Sequence, residues 1–219
     1  MPHDDFEFEP ILGLPEALPD QEEILWQGRP QAWALAKDAL NIWWVMGYFA
    51  LLGVWRFIAA LDLMAMDQAL AISVPFLVLG ALCMALLYIV AYVQARTTVY
   101  TITNKRVAMR VGAALTLTLN IPFAQVENAA VARWKNGTGN IALKTSGETR
   151  ISFLMLWPHA RAWRFKHTEP TLRCIPDVET VSGILGQAAA PYVGARPTAA
   201  LAQKQTDRAP NFEHASLEA

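Results

Sequence analysis

QALAISVPFLVLGALCMALLYIVAYVQA, residues 68–95, runs through 28 positions without one Asp, Glu, Lys, Arg or His. At about 1.5 Å of rise per residue, roughly 20 helical residues cross the hydrocarbon core of a bilayer, so this stretch is long enough to span one. Backbone amides find no water there, and a helix satisfies them internally. Just ahead of it, Ile42 to Leu61 forms a second apolar run with a single charge, Arg56. The two runs predict a helical hairpin in a membrane, with transmembrane segments over 40–61 and 68–95.

Working outward, charge is segregated along the chain. Before the hairpin nine acids (Asp4, Asp5, Glu7, Glu9, Glu16, Asp20, Glu22, Glu23 and Asp38) face only Arg29 and Lys37. Between Gln94 and Pro176 twelve bases face three acids, Glu127, Glu148 and Glu169. A basic region held beside a bilayer is drawn to anionic lipid or to an acidic protein face, although a merely solvated basic surface has the same composition. Orientation follows from the bases near the helix ends. Arg29 and Lys37 precede the first run and Arg96, Lys105, Arg106 and Arg110 follow the second, whereas the connecting loop holds Asp62 and Asp67 and no base. Both termini of a multi-pass protein are therefore expected in the cytoplasm, with the tight loop outside. The acidic N-terminus lacks the basic-then-apolar layout of a cleaved leader.

Trp43, Trp44 and Tyr48 fall near one end of the first run and Trp55 near the other, where amphipathic rings favour the bilayer interfaces. Arg56 has two readings: it snorkels to the outer headgroups, or it pairs inside the membrane with a partner's carboxylate or a lipid phosphate. Cys83 and Cys174 would face different compartments and read as reduced apolar fillers. The four histidines are scattered, with no pair at metal-ligand spacing.

Residues 1–21 read as an acidic, Pro-rich arm with enough large apolar groups to dock somewhere. A short β run over 22–31, ended by Gly28 and Pro30, follows; Ala32 to Asn41 then leads into the first membrane helix. After the hairpin the period changes to two. Val99 to Thr103, Arg106 to Val111, Leu115 to Ile121, Val126 to Trp134, Ile141 to Thr145 and Arg150 to Leu154 read as strands, with turns at Asn104-Lys105, 136–140 and Ser146-Gly147. Trp157 to Thr171 reads as irregular. Asp177 offers an N-cap to a helix over 177–190 that Pro191 ends, and 196–219 reads as a disordered tail.

Ile24-Leu25-Trp26-x-Gly28-x-Pro30, two apolar helices, and then Tyr100-x-Ile102-Thr103-Asn104-Lys105-Arg106-Val107 resemble the membrane-anchored bacterial pleckstrin-homology-like (PH-like) proteins. The turn at Gly137-Thr138-Gly139-Asn140-Ile141 and a closing helix fit the same family. The resemblance implies a membrane α+β architecture: the hairpin plus a cytoplasmic PH-like antiparallel β-sandwich or barrel over 96–190, capped by the C-terminal helix, with the Trp26 segment adding a strand. The opening residues 1–10 with Gly13-Leu14-Pro15-Glu16, then Leu156-Trp157-Pro158-His159-Ala160-Arg161-x-Trp163-Arg164 and Glu169-Pro170-x-Leu172-Arg173-Cys174-Ile175-Pro176-Asp177, are similar to the photosynthetic complex assembly proteins of purple bacteria. That resemblance implies a part in assembling the reaction centre and its core light-harvesting (LH1) antenna, with subunits of those complexes as partners. It brings no catalytic residues.

No Gly-rich phosphate loop and no recognisable Ser, His and Asp set is present, so no enzyme and no cofactor is expected. Neither apolar run holds a histidine to ligate a pigment metal. The basic and aromatic segment Trp157 to His167 could stack bases, but beside a bilayer it serves interfacial docking equally well, and nucleic acid is not expected as a partner. The candidate partner and lipid interface is Lys105, Arg106, Trp157, Arg161, Trp163, Arg164 and Lys166, with Arg56 as an intramembrane charge and Trp43, Trp44 and Trp55 as interfacial anchors. Membrane lipids and a second copy of the chain complete the expected partners. The alternative function is a lipid-binding or membrane-stress PH-like module unrelated to photosynthesis.

Overall fold

The computed structural model describes residues 11–112, 116–134, 136–146, 152–161 and 168–193. Most of the acidic arm, the turn at Gly147, the start of the strand expected from Arg150, the site residues Trp163, Arg164 and Lys166, and the tail 196–219 lie outside the described residues.

Chain order is β1 (Ile24–Gly28), α1 (Ala32–Asp38), α2 (Ile42–Leu61), α3 (Met66–Thr97), β2 (Val99–Thr103), β3 (Arg106–Val111), β4 (Leu117–Pro122), β5 (Val126–Arg133), β6 (Gly139–Thr145), α4 (Phe153–Leu156), β7 (Thr171–Ile175) and α5 (Val178–Val193). Residues 32–41 do not run straight into the first long helix. Asn41 adopts φ 51°, a left-handed conformation that asparagine tolerates, and turns the chain between α1 and α2.

α2 and α3 are the two apolar runs, both long and apolar enough to cross a bilayer, and only 11% of each apolar window is buried within the chain. They pack as an antiparallel pair through small residues. A Cβ built on Gly80 would lie 2.7 Å from Phe49 Cβ, and one on Gly53 would lie 3.3 Å from Leu77. The lengths differ: α2 has 20 residues and α3 has 32. At 1.5 Å per residue, α3 therefore runs about 18 Å past the start of α2, and this projecting segment carries the β domain.

The domain has two antiparallel sheets, ordered β1-β2-β3-β4 and β5-β6-β7. β1 precedes the helical hairpin in sequence yet pairs with β2 just after it, with Trp26 opposite Ile102 and Gly28 opposite Tyr100. Both ends of the hairpin thus enter one sheet. The segment before β1 docks on it: Leu14 is buried, Gln27 Nε2 donates to the Leu12 carbonyl at 2.7 Å, and Gly13, at φ 79°, leaves no room for a Cβ against Val99.

Two expectations are corrected. Within the strand expected over Arg150 to Leu154, Phe153 and Leu154 are instead helical, in α4, and the third strand of the second sheet is β7. β7 is short and bracketed by Pro170 and Pro176, and its Thr171-Leu172-Arg173 alternation is too brief to mark a strand. α5 does not stop at Pro191 but continues to Val193, since a proline in a final turn removes few helical bonds. The sheets and α5 enclose a core built on Tyr100, Ile102, Met109, Phe123, Ile141, Leu143, Leu172, Ile175 and Val181. Gly139 is the tight point beneath α5: a Cβ there would collide with the Ala132 carbonyl oxygen and lie 2.7 Å from Val178.

Candidate functional site

α1 makes the junction between the helices and the domain. Its buried Ala34, Leu35 and Ala36 form a second apolar cluster with Ile42 of α2, Ala91 of α3 and Cys174 of β7, and Met84, Leu87 and Trp134 pack around it. The backbone joins in, as Gln31 N–H donates to the Cys174 carbonyl at 2.9 Å. Aromatic rings collect at the same level. Trp33 meets Trp43 and Tyr88 edge-on, with centroids 6.4 and 5.9 Å apart, and the Lys37 ammonium lies 4.9 Å from the Trp33 ring centre. Trp43, Trp44 and Trp55 are all exposed on α2, as is Arg56. Trp33 joins Trp43 and Tyr88 at the domain end of the hairpin, and nothing local in the sequence marked it.

Polar groups flank the junction. Asp38 Oδ2 accepts from Asn140 Nδ2 at 3.0 Å and lies 3.5 Å from Arg173 Nη1. Asn140 Oδ1 accepts the Cys174 amide at 2.8 Å. Burial, the neighbouring Asp38 carboxylate adding to it, pushes the Cys174 thiol up to about 12, so it is an inert filler. Above these residues, the outer face of β5-β6-β7 is hollowed into a groove. Its near part, about 410 Å³, is lined by Asp38, Trp134, Asn140, Arg161, Thr171 and Arg173, over a floor of Ala130, Ala132 and Ala142. An adjoining part of about 250 Å³ shares Ala130, Ala142 and Arg161 and reaches Lys144 and Glu169.

Inside the domain, His159 bridges the sheets. Its Nδ1 is 2.6 Å from the Tyr100 hydroxyl and its Nε2 is 3.1 Å from Thr98 Oγ1. The Tyr100 oxygen also accepts the Arg173 amide at 3.2 Å. It therefore gives its proton to Nδ1, and Nε2–H donates to Thr98. Burial, helped by the Arg173 charge, lowers the His159 pKa to about 3, so the ring is neutral; burial also raises the Tyr100 hydroxyl above its ordinary value.

Among the described residues, the expected interface positions Lys105, Arg106, Trp157 and Arg161 do not all lie together. Lys105 sits in the β2–β3 turn, at the end of β2 remote from α3, and reaches the Asp20 carbonyl at 3.3 Å. Arg106 Nε is 2.8 Å from Glu22 Oε1, a buried carboxylate that also accepts from Thr103 Oγ1, so this base serves the fold. Trp157 is exposed, and Arg161 lies on the groove, paired with Glu169 at 2.8 Å. Asp38, Asn140 and Arg173, which do converge there, escaped the sequence reading. They come from three distant segments, and nothing local in the sequence marks them as neighbours.

The family described as the bacterial PH domain matches residues 47–189. An uncharacterized 23.7 kDa protein of Rhodobacter capsulatus from the puhA 5′ region is 41% identical over 209 residues, which cover 90% of this chain and 96% of its own. No solved structure matches the chain.

Proposed function

The chain belongs to the bacterial PH domain family, and from that premise we propose that it is a PuhB-like, non-enzymatic assembly factor for the photosynthetic reaction centre and its LH1 antenna. In this reading α2 and α3 span the inner membrane of a purple bacterium, with both termini and the β domain in the cytoplasm. The hairpin packs beside helices of newly inserted subunits while the domain holds their cytoplasmic ends. The observation that carries the reading is the junction. Its buried cluster spans α1, α2, α3 and β7, and β1 pairs with β2 across the hairpin, so a force on either helix is transmitted to the domain. The outward surface of the hairpin, by contrast, is left for lipid or partner helices, with Trp44, Leu51, Trp55, Leu82 and Leu86 exposed.

The relative from the puhA 5′ region supports the photosynthetic part of this reading, together with the sequence resemblance above. Deleting the gene should lower the amount of assembled reaction centre and LH1 without changing the spectrum of what does assemble. A tagged chain in mild detergent should co-purify with subunits of those complexes. Unchanged complex levels in the deletion strain would sink the reading.

A further inference from the structure

We propose that the near end of the groove on β5-β6-β7 holds the phosphate of an anionic membrane lipid, with Arg173 and Arg161 as its cationic ligands. The inference rests on the membrane placement of the hairpin proposed above.

The donors come first. The Arg173 side chain is only 10% exposed, its Nε has no hydrogen-bond partner among the described residues, and its nearest carboxylate, Asp38, stands 3.5 Å away. That distance is an ion pair without a hydrogen bond, and the same Asp38 oxygen already accepts from Asn140. A guanidinium carries five N–H donors, and leaving buried donors unsatisfied is costly. Arg161 spends one amino group on Glu169 and keeps 44% of its side chain exposed on the same groove. Both arginines are held in position by carboxylates that leave donors over, and a tetrahedral oxyanion accepts from two such forks at once. Thr171 and Asn140 add polar groups to the wall.

Space and place follow. The alanine floor keeps the hollow open, and about 410 Å³ accommodates a headgroup phosphate with its glycerol. Asp38 lines the near end only four residues before Ile42, where α2 begins, and Trp134 on the same wall packs against the junction cluster. The opening is therefore at headgroup depth, level with Trp33, Trp43 and Tyr88, where anionic lipid is the phosphate source at highest local concentration. Free phosphate offers the same chemistry, and the experiment separates the two.

The full chain is extracted from membranes in neutral detergent and analysed by native mass spectrometry with phosphatidylglycerol and phosphatidylcholine in equal amounts. The wild type should retain one phosphatidylglycerol in clear preference. Arg161→Gln and Ala132→Glu should each weaken that preference about tenfold, the loss of one charge-assisted contact. Ala132 is exposed on an edge strand, so its substitution tests the groove without threatening the fold, as Arg173→Gln could. Equal retention of the two lipids, or a preference that survives both variants, overturns the proposal. So does displacement of the lipid by an equal concentration of inorganic phosphate, or by an added glutamate-rich peptide. A wild-type chain found in the soluble fraction would sink the membrane placement and this proposal together, whereas a membrane-bound chain without lipid preference overturns this proposal alone.

Discussion

The imidazole Nδ1 of His159 lies 2.6 Å from the hydroxyl of Tyr100, a hydrogen bond by which the loop after α4 holds the first strand that follows the hairpin. The same hydroxyl accepts the Arg173 amide of β7 at 3.2 Å, so a polar bridge ties β2 to the second sheet within an otherwise apolar core.

Stability should therefore depend on pH through His159. The unfolded imidazole takes a proton below about 6.5, whereas the folded one resists until about 3. Unfolding then binds a proton, and stability should be complete above pH 6.5 and fall as pH drops below it, by about 1.4 kcal/mol per unit. Denaturant titrations of the full chain in neutral detergent at pH 7.5 and pH 5 check this. The difference in stability between the two pH values should shrink in His159→Gln by about 2 kcal/mol.

Tyr100→Phe strands both the His159 ring and the Arg173 amide, and should cost about 2–3 kcal/mol at pH 7.5. The same titration measures it. A loss under about 0.5 kcal/mol would mean that water enters and replaces the hydroxyl.

Lys105 and Arg106 are adjacent but should behave differently. Arg106→Ala leaves the buried Glu22 carboxylate without its cation and should destabilise by about 3 kcal/mol. Lys105→Ala, at an exposed turn, should stay within about 0.5 kcal/mol. An assembly defect in the Arg106 variant is consequently read against its melting temperature before it is assigned to an interface.

Glycine substitutions should sort by the space around each. Gly139→Ala drives a Cβ into the Ala132 carbonyl and Val178, and should cost about 2–3 kcal/mol. Gly186→Ala, on an open helical surface with nothing within 4 Å, should raise stability by about 0.5–1 kcal/mol. Thermal melts of the two variants beside wild type decide both signs.

Maleimide should not label Cys174 in the native chain at neutral pH, because the thiol is buried and its pKa is pushed up to about 12. Labelling of this residue should appear only with denaturation, read by peptide mass. Rapid native labelling would contradict the closed junction.

What the sequence determined by itself is whatever short-range pattern encodes. The apolar runs marked α2 and α3 to within about two residues, because apolar composition over a bilayer's length is a local property. Val99 to Thr103 and Arg106 to Val111 were legible as strands from their β-branched residues and the Asn104-Lys105 turn. β7 was not, because Pro170 and Pro176 bracket it and its Thr171-Leu172-Arg173 alternation is too short to signal a strand. The tertiary structure alone decided which side chains meet. Arg106 looked like a surface base until Glu22, across the whole hairpin in sequence, was found beneath it. Asp38, Asn140 and Arg173 converge because β1 closes onto β2 and brings α1 against β7, a long-range pairing whose partners carry no mark of each other along the chain.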